Sequence, residues 1–198
     1  SRALFAQEYE CEWTTTESQI YLDLDENKHL GEYVGERFSE VIGGLDVGYR
    51  DENVFVVIGF DGQSYYIIDE YVSKESTTSE LAASIQEKVD EWNIDTIYID
   101  SAAQQVKADF AYDYDIYCEN AVKSVNDGIS YVQVLIENDN LYFDLMGASH
   151  TFSAMSSYRW NPNTETPKPI HDWTSHPCDA VRYAIYTHSK MSNISIYA

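Results

Sequence analysis

A chain of 198 residues with 44% apolar content can bury one sizeable core, which excludes a disordered polypeptide; two domains would both be small. Twelve basic against 34 acidic residues give a formal charge of −22, which repels phosphate backbones and excludes a general basic footprint for nucleic acid. Divalent metals reverse that sign locally and a partner domain can supply basic surface, while adaptation to high salt or for solubility gives the same composition.

Residues 1–40 read as an N-terminal extension. LFAQEYECEW suggests a short helix running into a strand, QIYLDLD alternates like an edge strand, and HLGEYVGERFSE is a polar connector. From residue 41 the pattern sharpens. VIGGLDVGY, NVFVVIGF and SYYIIDEYV are three strand-like runs separated by YRDEN and by DGQ, the latter an Asp-Gly hairpin signal, so an antiparallel meander is expected.

TTSELAASIQEKVDEW then reads as a capped helix with Leu81, Ile85, Val89 and Trp92 on one face. DTIYID is a short buried strand, SAAQQVKADFAY a second helix and DIYCEN another strand. Strands joined through crossover helices run parallel, so the fold class is α/β: a mixed five-stranded sheet, three antiparallel strands followed by parallel ones, flanked by helices. NDGISYVQVLIEND places Ile129, Val132, Leu135 and Ile136 on one helical face, and LYFD is a strand or extended segment. GASHTFSAMSSYRW is another helix, NPNTETPKPIHDW a loop holding three of the four prolines, and SHPCDAVRYAIYTHSK the last helix.

Three acids stand out. Asp46 falls within the first apolar run between Leu45 and Val47, where an ionised carboxylate stripped of water needs a partner or a metal. Asp100 ends IYID and Asp179 lies near the start of the last helix. Taken singly, Asp100 also reads as a turn or helix cap and Asp179 as a complement to the helix dipole. If the first and fourth strands are neighbours and the last helix crosses their face, the three meet. Their repulsion then calls for hard divalent cations, Mg²⁺ or Mn²⁺, and two such ions activate water and stabilise a leaving oxygen in phosphodiester hydrolysis. His176 lies three residues before Asp179, on the same helical face, and either ligates or orients water and phosphate. Asp172 reads as an outer acid or a turn residue, while His150, His171 and His188 form no arrangement.

These residues carry a resemblance. GLDVGY, the strand ending IYIDSA, KSVNDGISYVQVLI before LYFD, SYRW and above all HDWTSHPCDAVRYAIY resemble the C-terminal nuclease domain of the large terminase subunit of tailed bacteriophages, from about Val41 to His188. The resemblance implies a ribonuclease H-like, retroviral-integrase-type fold in residues 41–198, preceded by a linker from an ATPase domain in residues 1–40. It implies that Asp46, Asp100 and Asp179 hold two Mg²⁺ or Mn²⁺ ions, with His176 beside them, and that Asp46 is shared by both metals. Lys123, Arg182 and Lys107 are the candidates to contact phosphate or DNA, and Lys123 and Arg182 equally to neutralise the acid cluster, although Arg182 reads at least as well as a structural ion pair. The implied function is cutting concatemeric double-stranded DNA in a packaging motor, with the ATPase domain, small terminase subunit and portal protein as partners, in the host cytoplasm.

No G-x-x-x-x-G-K-[ST] pattern occurs, so ATP hydrolysis is not expected of this chain. A junction resolvase or transposase core of the same fold, and a non-catalytic docking module, are the competing readings. Cys11, Cys118 and Cys178 are odd in number and widely spaced, which suggests a reducing setting, and neither a membrane span nor a signal peptide is expected.

Overall fold

The computed structural model describes residues 18–48 and 51–195, with side chains through residue 191. The helix and strand expected over LFAQEYECEW lie outside the described residues. The elements are α1 (Glu26–His29), β1 (Leu30–Gly31), β2 (Glu40–Asp46), β3 (Glu52–Phe60), β4 (Tyr65–Lys74), α2 (Thr78–Trp92), β5 (Thr96–Ile99), α3 (Gln104–Asp113), β6 (Cys118–Asn120), α4 (Val125–Glu137), β7 (Leu141–Asp144), α5 (Ser149–Ser157) and α6 (Ser175–Ser195).

The expected meander is present: β2 pairs antiparallel with β3 and β3 with β4. The Asp-Gly signal makes its turn because the Asp61 carboxylate accepts the amides of Gln63 and Ser64 while Gly62 takes φ +104°. α2 starts at a capping box, in which Thr77 and Glu80 satisfy each other's backbone amides. It carries the chain back to β5, which lies parallel to β2, and β6 continues parallel at that edge.

The mixed α/β architecture is the expected one, but the sheet has seven strands rather than five, in the order β1-β7-β4-β3-β2-β5-β6. The two extra strands extend the far edge: LYFD forms β7 parallel to β4, and the two-residue β1 adds to β7. A pair as short as Leu30–Gly31 has no hydrophobic alternation to read. QIYLDLD is not an edge strand. Gln19 makes an isolated bridge to Arg159; beside it the Ile20 amide donates to the Tyr158 carbonyl at 2.9 Å and the Gln133 side chain donates to the Ile20 carbonyl at 2.7 Å, with no continuous ladder. Asp25 then leaves the extended path to cap α1.

Pleating divides the core into two layers. Ile42, Val54, Val56, Ile58 and Tyr98 point to one face with α4 and α6, whereas Leu45, Phe55, Val57, Ile97 and Ile99 face α2 and α3. Each fully buried Ile, Val or Leu there contributes roughly 1.5–3 kcal/mol of apolar transfer. Even-numbered positions of β2 therefore face α6. At Gly44 the helix comes so close that an added Cβ would collide with the Ala180 carbonyl and lie 3.0 Å from the Ala184 Cβ. Only a glycine allows this approach, and it brings the start of α6 over the end of β2.

Candidate metal centre

Asp46 is the last residue of β2 rather than a mid-strand acid, one step beyond the Leu45–Ile99 pairing. Asp100 is likewise the residue after β5. Both acids thus leave the carboxyl ends of adjacent parallel strands, on the face that α6 covers, the usual place for ligands in open α/β sheets. Asp179 lies on α6 one residue before Ala180, the point of closest approach to Gly44.

Each acid has its own basic partner. Asp46 accepts from His176 Nδ1 at 2.7 Å, and this bond, with the field of Asp46, raises the His176 pKa against the effect of burial. Asp179 accepts from Arg182 Nε at 3.2 Å and Nη2 at 2.8 Å. Burial, with a further push from Asp46, nevertheless raises the Asp179 carboxyl above the usual carboxylate range. Asp100 pairs with Lys123 Nζ at 2.7 Å and accepts from the Ala102 amide at 2.9 Å. Burial alone would raise Asp100, but Lys123, the Ala102 amide and the Tyr183 hydroxyl together hold it below the usual range. Tyr183 feels all three acids: burial and the charges of Asp179, Asp46 and Asp100 push its hydroxyl well up, so it stays a proton donor at neutral pH.

Arg182 is a buried structural cation, 2% exposed, lying over the Tyr183 ring at 4.6 Å and against Gly128 of α4. Its Nη1 has no hydrogen-bond partner. Lys107 turns from the acids to Asn120 at 3.1 Å. Asp172 is a local cap, accepting from the Thr174 amide and hydroxyl at 2.9 and 2.6 Å. His188, at the far end of α6, is a core histidine between Tyr65 and Glu40. Burial pushes the Cys178 thiol well up, which suits a packing residue on α6 rather than a nucleophile.

Asp51 and His171 were not legible in the sequence. With His176 they are the group, among the described residues, whose potential metal-ligating atoms all fall within 4.8 Å of one another; the three acids do not converge that tightly. The only sequence signal was a second histidine five residues before His176. The acids still offer donor chemistry that fits a hard divalent cation: carboxylate oxygens at one end of the sheet, with the Asp179 carboxyl raised first by burial and further by Asp46.

A family model described as the terminase RNaseH-like domain matches residues 43–187. The chain belongs to this family. The matched span of this terminase domain runs from β2 into α6 and so includes Asp46, Asp100, His176 and Asp179. The large terminase subunit of Escherichia phage T5 is 35% identical over 204 residues, which cover 96% of this chain and 46% of that protein. The chain thus spans about half the length of that relative.

Solved structures agree on the fold. A large terminase from a thermophilic bacteriophage superposes with a TM-score of 0.76 at 22% identity, over 91% of this terminase domain and 48% of that chain. The nuclease domain of the bacteriophage SPP1 large terminase, solved with bound Mn, gives 0.65 at 23% identity, over 81% of this domain and 96% of that one. Among the described residues no helix is long and apolar enough to cross a membrane.

Proposed function

We propose that this terminase domain is the two-metal-dependent endonuclease of a phage DNA-packaging motor, cleaving concatemeric double-stranded DNA by phosphodiester hydrolysis. The observation that carries the reading is the pair of acids, Asp46 and Asp100, leaving adjacent parallel strands under a helix that bears Asp179 and His176. In this reading Asp46, Asp100 and Asp179 would hold Mg²⁺ or Mn²⁺. Bound there, the ions supply Lewis acidity that lowers the pKa of water and offsets charge on the leaving oxygen. The Mn carried by the SPP1 nuclease domain supports the choice of metal.

The chain's own groups have separate tasks. His176 holds a proton at Nδ1 and with it the orientation of the Asp46 carboxylate. Arg182, buried and bonded twice to Asp179, fixes that carboxylate on the helix. Lys123 is half-exposed and can exchange Asp100 for a DNA phosphate. With a net charge of −22 the domain has little long-range attraction for DNA. Recruitment therefore falls to the ATPase domain of the full-length protein and to the small terminase subunit and portal in the host cytoplasm.

The test is plasmid cleavage in Mn²⁺. The wild-type chain nicks and linearises supercoiled DNA, whereas Asp46→Asn, folded by circular dichroism, does not. Full activity in that variant would remove Asp46 from the reaction. Absence of cleavage by the wild type with any divalent metal would favour a docking module, and preference for four-way junctions would favour a resolvase.

A further inference from the structure

Beside the acid cluster lies a cleft of about 300 Å³, lined by Asp51, Glu52, Lys74, His171, Trp173 and His176, of which the nuclease reading uses His176 alone. The hydrogen bonds around its two histidines determine which ring nitrogens are free. Ser175 Oγ gives its single hydrogen to the Asp172 carbonyl at 2.7 Å, so at 3.0 Å from His171 Nδ1 it must accept. His171 therefore carries its proton on Nδ1. His176 does the same, because its Nδ1 faces the Asp46 carboxylate, which only accepts. When neutral, both imidazoles keep the lone pair on Nε2.

The two histidines and Asp51 converge. The two rings stand edge to face with centroids 5.4 Å apart, and His176 Nε2 lies 4.0 Å from Asp51 Oδ2. One ligand atom from each of Asp51, His171 and His176 falls within 4.8 Å of the others. Each histidine is also backed as metal-binding histidines are, with the far ring nitrogen donating to a carboxylate or another polar oxygen. The cleft is short of positive charge: Lys74 pairs with Glu52 Oε1 at 3.3 Å, while the buried Glu52 Oε2 has no hydrogen bond, its His150 neighbour standing at 3.4 Å.

From this arrangement we infer that Asp51, His171 and His176 form a transition-metal site, separate from the three-acid site and joined to it through the His176–Asp46 bond. Two nitrogen donors and one carboxylate suit Zn²⁺, Co²⁺ or Ni²⁺ and discriminate against Mg²⁺, which prefers oxygen. The inference does not depend on nuclease activity. Because one imidazole serves both places, a metal at this site holds His176 and, through it, the Asp46 carboxylate in one orientation.

Isothermal titration of the 198-residue chain with ZnCl₂ in excess Mg²⁺ tests it, with Co²⁺ visible absorption as a check on nitrogen ligation. One Zn²⁺ per chain is expected to bind. His171→Gln and Asp51→Asn should each weaken binding about tenfold or more, since even supporting partners of metal ligands cost 10–100-fold. Asp100→Asn removes an oxygen of the other site without touching the imidazoles, and Zn²⁺ binding should persist in it. Asp51 is in an exposed turn, so its variant reports even if His171→Gln fails to fold. Unchanged Zn²⁺ affinity in Asp51→Asn and folded His171→Gln, or binding lost in Asp100→Asn alone, would overturn the assignment.

Discussion

Replacing Gly44 by alanine tests whether the close approach of strand and helix builds the site. The new Cβ falls well inside 3.0 Å of the Ala180 carbonyl oxygen, a separation that real Cβ atoms essentially never show, and 3.0 Å from both the Ala180 carbonyl carbon and the Ala184 Cβ. The oxygen belongs to the backbone of α6, so no rotamer change relieves the clash and the helix must retreat by on the order of 1 Å. Overpacking of this kind costs about 1–3 kcal/mol, and an immovable backbone partner puts Gly44→Ala at the upper end, about 3 kcal/mol. For a chain of this size that lowers the melting temperature by roughly 6–12 °C. The same retreat lengthens the 2.7 Å His176–Asp46 bond, so Mn²⁺ affinity should fall with stability. Gly35→Ala is the control: a Cβ there meets nothing within 4 Å, and its effect should stay within about 0.5 kcal/mol. Urea denaturation and thermal melting, followed by Mn²⁺ titration of the folded variant, measure both effects. If Gly44→Ala proved as stable as Gly35→Ala, the reasoning would be wrong.

Two electrostatic predictions follow. Asp46→Asn removes the charge that raises the His176 pKa and leaves only a weaker neutral acceptor, so the imidazole midpoint followed by NMR should fall; an unmoved midpoint would contradict the pairing. A raised histidine pKa gives stability that is full below the unfolded value of about 6.5 and is lost as pH rises through the folded one, so the stability difference between wild type and Asp46→Asn should be larger near pH 6 than near pH 9. Lys123→Met should raise the Asp100 midpoint, because Lys123 heads the interactions that hold it down against burial. The lowered Asp100 pKa gives stability that is present above the unfolded value and lost as pH falls through the folded one. With Lys123 half-exposed, the loss at neutral pH should be at most about 1 kcal/mol, and a carboxyl ¹³C titration with an unchanged midpoint would refute the pairing.

Much of the fold could be read locally. The apolar runs at 41–47, 53–60 and 65–72, the capping box at Thr77 and Glu80, and the one-sided helix around Ile129 and Val132 all state their structure within a dozen residues, because burial periodicity and capping are short-range effects. Strand β1 and the course of residues 19–25 could not be read this way, since their partners, the backbone of Asp144 and Tyr158 and the side chain of Gln133, lie more than a hundred residues away.

The candidate site divides along the same line. The sequence by itself determined that Asp46 belongs to an apolar strand, that Asp100 closes another and that His176 and Asp179 share a helical face, because each is a matter of local pattern; that Asp46 ends its strand is set by the pairing of β2. Only the tertiary structure decided what each group meets. Asp46 faces His176 across 130 positions, Asp100 takes Lys123, Asp179 keeps Arg182, and Asp51 reaches His171 across a cleft. An ion pair or ligand cluster depends on where the strands and helix are superimposed. That superposition is set by strand register and by the missing Cβ of Gly44, and neither shows in the acids themselves.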